Sequence, residues 1–506
     1  MAFRTIMASK LPIVIILGAT GTGKTKLGVE LAQRFGSEVI SADSMQIYKG
    51  LDIVTAKATP QERELVPHHL LDILEPTEMF TVVDFRNRTL KLIDNLRAQG
   101  KTPIVVGGTN YYIESIVYKI LVEDSDDSED LIWNKSKRKR DFVDNPRGAK
   151  EAKTEDKQGV HKYGVAEIEP LDNKKGELET ESQKEYIEEE LIQKKAELQK
   201  DVDEESKFTN EEIHAKLKEI DPEMASRLHH NNRRKVLRSI EVWLKTSRRH
   251  SEVLDEQRLT EGQLRFPGAT VILWLKCEQK IHDERLNARV DEMLRQGLIG
   301  ELLDFHDRHN RQRIRDGKPP DYTKGIFQTL GFKEFHEYLM LPEEKRNSEE
   351  GKKLLEEGID NMKMATRRYA RRQNKMVRSR FLEHPKREVP PIFELDTTYI
   401  SEWDEKVKNK AIEIVDSYLL DNPCQYKPLV SNISEEKKSC NSHSSNYCQV
   451  CERLFVGDDI YAIHLNSNRH KKVLKKKMAL VAKEAKQTEI EEKSEKTKDF
   501  ETIEVP

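Results

Sequence analysis

The sequence predicts an α/β fold built on a parallel sheet, with a helical subdomain inserted into it and a small module at the C-terminus. Three observations carry that reading. Over the first 122 residues short unbroken apolar runs alternate with longer amphipathic ones, as in strands buried on both faces between helices. A glycine-rich turn joins the first apolar run to the first amphipathic one. The alternation then stops at 123, gives way to a stretch in which about half the positions are charged, and returns with the apolar run 271–275.

Taken in order, 13–17 reads as a buried strand, followed by a helix with Leu27, Leu31 and Phe35 at i+4 spacing. The runs 39–42 and 104–106 read as the next parallel strands. Residues 123–207 hold 26 acids and 17 bases and are expected to be a disordered insertion, in which 184–198 forms at most a solvated helix. From 211 to 245 helical periodicity returns. Val236, Ile240, Trp243 and Leu244 lie on one face, with Arg234, Arg238, Lys245 and Arg249 near the other. After the strand 271–275, helices are expected over 281–296, 298–306 and 331–339. The run 363–380 has eight bases in 18 residues and no acid, and places Arg368, Arg371, Lys375 and Arg378 on one helical stripe, a pattern that suits a polyanion. The expected organisation is 12–122 and 263–420 for the sheet domain, 208–262 for the helical subdomain, 421–445 for a linker, 446–478 for the terminal module and 479–506 for a charged tail.

Composition sets limits on function. Charged residues make up 35% of the 506 and hydrophobic ones 36%, far from the average balance, so long stretches must be solvated. The longest apolar run, 11–17, is far short of the roughly 20 residues that span a bilayer, so no membrane partner is expected. Net charge is −3, yet the acidic block 123–207 alone contributes −9 (17 − 26) and leaves +6 for the rest. Five cysteines fit a reducing compartment rather than a disulfide scaffold. The cytoplasm is the expected location. The acid-free 1–10 and the basic run near 475 keep mitochondrial and nuclear addresses open.

Gly18-Ala19-Thr20-Gly21-Thr22-Gly23-Lys24-Thr25 matches G-x-x-x-x-G-K-[ST] between a strand and a helix, the context its mechanism requires. Backbone N–H groups from Thr20, Gly21, Thr22 and Gly23 can face one concavity. Lys24 supplies a point charge for phosphate oxygens, and Thr25 can hold a Mg²⁺ that bridges them. The sheet is therefore of the P-loop NTPase type. In NTP hydrolases a second strand usually ends in a metal-supporting Asp. Here 104–106 runs instead into Gly107-Gly108-Thr109, and the carboxylate sits after 39–42, in Asp43-Ser44-Met45-Gln46. Beside a phosphate loop, Asp43 is a candidate general base as well as a candidate turn residue.

Together these motifs resemble the tRNA dimethylallyltransferases, or tRNA isopentenyltransferases, of the eukaryotic type. The resemblance runs through Gly18 to Thr25, Asp43-Ser44-Met45-Gln46-Ile47-Tyr48, Pro67-His68-His69 and Gly107-Gly108-Thr109-Asn110-Tyr111-Tyr112. It continues through Arg233-Arg234-Lys235-Val236-Leu237-Arg238, Arg289-Val290-Asp291-Glu292-Met293-Leu294, Gly331-Phe332-Lys333-Glu334-Phe335 and Arg368-Tyr369-Ala370-Arg371-Arg372-Gln373. It implies transfer of a dimethylallyl group from dimethylallyl diphosphate to N6 of adenosine 37 in the tRNA anticodon stem-loop, by a protein expected to act as a monomer. On this reading Asp43, Lys24 and Thr25 are catalytic. Thr20, Gly21, Thr22, Gly23, Lys24, Thr25 and Lys333 hold the diphosphate. Asp43, Ser44, Met45, Gln46, Thr109, Arg234, Arg238, Arg371 and Lys375 meet the RNA. Arg233 stands where relatives often carry another residue, and the 123–207 insertion is longer and more acidic than the resemblance implies.

Cys448-x2-Cys451-x12-His464-x5-His470 has the ligand types and spacing of a tetrahedral Zn²⁺ site, with Phe455 and Tyr461 placed as the small core of a ββα finger. Four protein ligands make such a zinc structural. The bases Arg469, Lys471, Lys472, Lys475, Lys476 and Lys477 that follow suit RNA phosphates. Two rivals are a nucleoside or nucleotide kinase, which explains the P-loop but not the Asp43 block or the basic helices, and a non-enzymatic zinc-finger RNA-binding protein, against which Lys24, Thr25 and Asp43 stand.

Overall fold

The structure is a computed structural model that describes residues 11–119, 181–430 and 445–479, apart from 77, 79, 205, 206, 261, 316, 318–321, 323, 324, 385, 386, 452 and 457. Most of the acidic insertion, 431–444 of the expected linker 421–445, and the tail beyond 479 lie outside the described residues. The described start of that linker packs on the sheet domain, with Leu429 N–H donating to Ile392 O at 2.7 Å and Cys424 and Tyr426 against the core. Contacts divide the chain into two compact units, one within 1–126 and 256–438 and the other within 127–255 and 439–506.

In chain order the elements are β1 (Ile13–Gly18), α1 (Lys24–Arg34), β2 (Val39–Ser41), β3 (His68–His69), α2 (Val82–Ala98), β4 (Ile104–Val106) and α3 (Asn110–Val117). There follow α4 (Glu181–Asp203), α5 (Asn210–Ile220), α6 (Arg233–Thr246), β5 (Thr270–Lys276), α7 (Gln279–Arg295) and α8 (Leu298–Arg315). The series closes with α9 (Glu349–Val377), β6 (Ile392–Asp396), α10 (Lys410–Leu419), β7 (Ser445–Cys448), β8 (Arg453–Val456) and α11 (Asp458–Asn466). A further helix, His250–Thr260, and shorter helical turns lie between them.

Six strands form one parallel sheet in the order β3-β2-β4-β1-β5-β6. The alternation of β1 explains why its run is wholly apolar. Ile13, Ile15 and Leu17 enter one core with Phe85, Tyr112, Phe305 and Phe332, while Val14 and Ile16 enter the other with Leu27, Leu31 and the α10 residues Ala411, Ile414 and Val415. Thr81 starts α2 with a reciprocal capping box to Asp84. The chain leaves the sheet domain after α3 and re-enters it at the same point, because Tyr118 and Leu264 pair antiparallel, with Lys119 N–H donating to Gln263 O at 3.1 Å and Arg265 N–H to Val117 O at 2.8 Å.

Three sequence expectations need correction. The insertion does not extend to 207 as a solvated segment: α4 buries Leu198 and Val202 among Ile213, Leu217, Val236, Ile240 and Trp243, so its C-terminal half belongs to the helical core. Each such buried aliphatic contributes roughly 1.5–3 kcal/mol, enough to dock a helix whose other faces are charged. The 331–339 segment is turns followed by one helical turn, His336–Leu339. The sequence reading also missed the edge strand β6, whose five residues lie behind two prolines. The opposite faces of α6 are as expected, with Val236, Ile240 and Trp243 buried, Leu244 half-buried and Arg234, Arg238 and Lys245 exposed; Arg249, also exposed, lies beyond the end of the helix. Arg233 donates to Phe208 O and Asn210 Oδ1, both at 3.1 Å, and so ties α6 to the start of α5. Among the described residues no helix is long and apolar enough to cross a membrane.

Candidate active site

Parallel sheets place ligands at the carboxyl ends of their strands, where the chain reverses direction across the sheet. Here the ends of β1, β2 and β4 are stitched together. Ala42 N–H donates to Val106 O at 2.7 Å and Gly107 N–H to Ile16 O at 3.2 Å. A Cβ at Gly107 would stand 2.1 Å from the Ala42 carbonyl oxygen, so no other residue allows the β2 and β4 ends to meet this closely.

The loop after β1 turns through left-handed Gly21 and Gly23 into α1. Thr22 Oγ1 and Lys24 Nζ both donate to Ala19 O at 2.8 Å, which curls the loop into a cradle. Lys24 is partly buried, and its pKa is pushed down to about 8 by burial, with Asp43 acting to raise it and Arg289 to lower it further. Asp43, also partly buried, is moved the opposite way: burial lifts its carboxyl above the usual carboxylate range, against the pull of the Met45 and Gln46 amides and the Lys24 charge. Its Oδ1 accepts from Met45 N–H at 2.9 Å. A cation and a carboxylate thus face one recess from the ends of adjacent connections.

The structure brings Ser44 and Thr109 to that recess. Ser44 N–H donates to Thr109 Oγ1 at 3.0 Å, and the Thr109 hydroxyl reaches Ser44 Oγ at 3.3 Å. Thr25 lies half-buried in the first turn of α1. Gln46 is turned into its own loop: Nε2 donates to Thr55 O at 3.1 Å and Ala56 O at 3.2 Å, and Oε1 accepts from Ser41 Oγ at 3.2 Å. Lys333 is exposed, and among the described residues no hydrogen bond or ion pair links it to the phosphate loop.

Gln373 on α9 is a site residue whose role the sequence reading missed. Buried, it accepts from Thr20 N–H through Oε1 at 2.8 Å and donates from Nε2 to Gly108 O at 3.0 Å, while its own carbonyl accepts from Asn110 Nδ2 at 3.3 Å. One side chain therefore joins the loop after β1 to the loop after β4, and the Thr20 amide expected to face phosphate is given to it. The available signal was its place at the end of the Arg368 to Gln373 block. On the same helix, burial of the Tyr369 phenol, and after it the charge of nearby Asp43, raise its pKa.

On the outer side of α9, Arg368, Arg371, Lys375 and Arg378 are exposed. Arg371 pairs with Asp283 of α7, and Lys363 pairs with Asp291 at 2.6 Å. Part of the basic run is thus anchored to a neighbouring helix, and Arg378 lies 6.0 Å from the Trp274 ring, which leaves Arg368 and Lys375 as the more available cations of the stripe.

In the terminal module Cys448, Cys451, His464 and His470 present ligand atoms that all lie within 4.8 Å of one another. His470 Nδ1 is 3.5 Å from each sulfur and 3.2 Å from His464 Nε2. A tetrahedral zinc with bonds of about 2.3 Å to sulfur and 2.0–2.1 Å to nitrogen requires separations of about 3.6 and 3.3 Å, so the donor set fits it. Phe455 stacks on His464 at 4.0 Å and lies 6.0 Å from Tyr461, the small core expected behind such a site.

The profile of a family described as IPP transferase matches residues 46–175 and 180–380. The tRNA dimethylallyltransferases of Mus musculus and Homo sapiens are 39% identical over 477 residues, covering 93% of this chain and 87% of theirs. That of Saccharomyces cerevisiae is 28% identical, covering 92% of each chain. Among solved structures, a eukaryotic dimethylallyltransferase acting on tRNA superimposes with a TM-score of 0.60 at 27% identity, covering 94% of this chain and 99% of the other.

Proposed function

The chain belongs to the IPP transferase family, and from that premise we propose that it transfers a dimethylallyl group from dimethylallyl diphosphate to N6 of adenosine 37 in the anticodon loop of tRNA. The observation that carries the chemistry is that Lys24 and Asp43 stand within electrostatic reach of each other at the strand ends, a cation suited to phosphate and a carboxylate of raised pKa.

The exocyclic amine of adenine is a poor nucleophile, because its lone pair is delocalised into the ring. As N6 bonds to C1 of the dimethylallyl group, the C1–O bond to the diphosphate breaks and the leaving group takes the electron pair. The N6 proton passes to Asp43, whose raised pKa makes it a stronger base than a solvated aspartate. Lys24 and the amides at the start of α1 absorb the charge that develops on the diphosphate. Gln373 keeps the two loops, and so the two substrates, in register. The adenine must leave its stack to reach this recess, which costs a few kcal/mol and less in a loop than in a duplex. Because β4 ends in Gly107 and Gly108 without a carboxylate, a Mg²⁺ here would be held by Thr25 and by the diphosphate itself, and would add its charge to that of Lys24. The four terminal ligands would hold a structural Zn²⁺. Nucleoside mass spectrometry of tRNA from cells with and without the gene tests the whole reading, since loss of N6-dimethylallyladenosine is the expected result and an unchanged level sinks it.

Two further outcomes follow from the surfaces. If the α9 stripe holds RNA phosphates, tRNA affinity falls steeply with added salt. Replacing Lys375 and Arg371 with Ala then flattens the log–log slope by about one rather than two, since Arg371 already pairs with Asp283. An unchanged slope in folded protein removes the stripe from the interface. Deleting 440–506, or stripping its metal, is expected to weaken tRNA binding while single-turnover transfer at saturating tRNA stays within a few fold. Complete loss of that rate in folded protein contradicts a structural zinc.

A further inference from the structure

The phosphate loop has two flanks. One opens toward Asp43, Ser44 and Thr109. The other is covered by the chain itself, and nothing in the reaction uses the residues that cover it. Along this flank His282 Nε2 lies 2.9 Å from the Thr20 carbonyl, and a Cβ on Gly21 would stand 2.8 Å from the Leu286 side chain. The rim of the Trp403 indole comes against Gly23, where a Cβ would stand 2.7 Å from two of its ring carbons. Only 6% of Trp403 is exposed; its Nε1–H donates to Glu30 Oε2 at 2.9 Å, and the Lys26 ammonium lies 4.5 Å from the ring centroid.

The cover is latched. Arg285 of α7 donates to Thr397 O at 3.0 Å and Thr398 O at 2.9 Å, and Glu278 N–H donates to Thr398 Oγ1 at 3.0 Å, so α7 is held to the segment that leaves β6 and carries Trp403. The carboxyl ends of β1, β5 and β6 form half of the crevice in which a parallel sheet receives a nucleotide. In this chain a buried indole occupies the part of that half next to the loop.

A diphosphate monoester has one organic substituent, which must leave the cradle by one flank. A five-carbon chain asks for little room beside Asp43, whereas a nucleoside needs room for a ribose and a planar base. We infer that Trp403, latched through Glu30 and Arg285, is a specificity-determining plug that makes this phosphate loop accept a short-chain diphosphate and refuse nucleotides. The inference rests on the proposed reading for the identity of the donor. It also gives a structural reason against the kinase alternative.

The test measures direct binding of inorganic diphosphate, ADP and GDP to the full-length protein by calorimetry, and competition of each against dimethylallyl diphosphate. Wild-type protein is expected to bind inorganic diphosphate at least roughly tenfold more tightly than either nucleotide, and Trp403→Ala to narrow that ratio by about fivefold or more. Trp403→Leu and Arg285→Ala, which shrink the plug and release its latch, should narrow it less. ADP bound by wild-type protein as tightly as inorganic diphosphate overturns the inference whatever the variants do, and so does an unchanged ratio in a folded Trp403→Ala protein. Because binding is read without turnover, the two readings fail separately. Exclusion of ADP by a protein that modifies no tRNA sinks the functional reading alone, and modification of tRNA by a protein that binds ADP well sinks the plug alone.

Discussion

Asp43→Asn is expected to lower single-turnover transfer by about 10²- to 10⁴-fold, the range for a lost general base, or ~3 to 5 kcal/mol in the barrier. The amide keeps the shape of the carboxylate and can still accept from the Met45 amide, which now lies 2.9 Å away, but it cannot take a proton from N6. Affinity for dimethylallyl diphosphate should change far less, because in the proposed mechanism Asp43 serves the other substrate. That affinity is best read at pH 7, since Asp43 helps hold the Lys24 pKa up and its loss lets that value fall below about 8. Near-normal transfer by the Asn variant would make Asp43 a turn-forming residue and place the base elsewhere.

Lys24→Ala is expected to weaken binding of dimethylallyl diphosphate and to slow transfer, each by roughly 10- to 100-fold, the worth of a charge-assisted hydrogen bond in a recess. The pH dependence carries a sign. With its pKa pushed down to about 8, Lys24 in the free enzyme loses its charge as the pH rises through that value, so affinity for inorganic diphosphate falls from pH 7 to pH 9. The Ala variant should lack that limb. On the acid side, the raised pKa of Asp43 means that transfer declines at a higher pH than an ordinary aspartate would give. Wild-type affinity that stays flat across the alkaline range would show that Lys24 does not neutralise the ligand.

The parts of this protein that the sequence displayed are those where a local pattern is also the physical cause. A strand buried on both faces must be apolar throughout, and β1 is. A phosphate-loop motif needs its glycines at fixed spacing, and a four-ligand metal cluster needs its Cys and His at fixed spacing, so Gly18 to Thr25 and the cluster from Cys448 to His470 could be read by counting. What escaped was set by partners distant in the chain. Gln373 acts on Thr20 and Gly108, 353 and 265 residues away, and its place at the end of the Arg368 to Gln373 block marks the position without showing what the side chain touches. The cover formed by Trp403 was hidden for the same reason. The helix boundary at α4 was misjudged because two buried side chains, Leu198 and Val202, outweigh a polar composition that by itself predicts a solvated helix.

The Tyr118–Leu264 pairing that returns the chain to its point of departure has a consequence for synthesis. Closing a longer excursion costs little at equilibrium, about 0.6 kcal/mol for each doubling of length, so the sheet tolerates an insertion of almost any size there. Time is another matter. One edge of β1 pairs with β4, which ends at Val106, and the other with β5, which ends at Lys276. The ribosome must therefore add 170 residues (276 − 106) between completing the first neighbour and the second, roughly 10 to 30 s at 5–20 residues per second. Throughout that interval the strand that carries the phosphate loop has a bare hydrogen-bonding edge, the feature from which sheets aggregate. The length of the excursion, nearly neutral for the finished fold, thus sets how long one edge of β1 stays unpaired during synthesis.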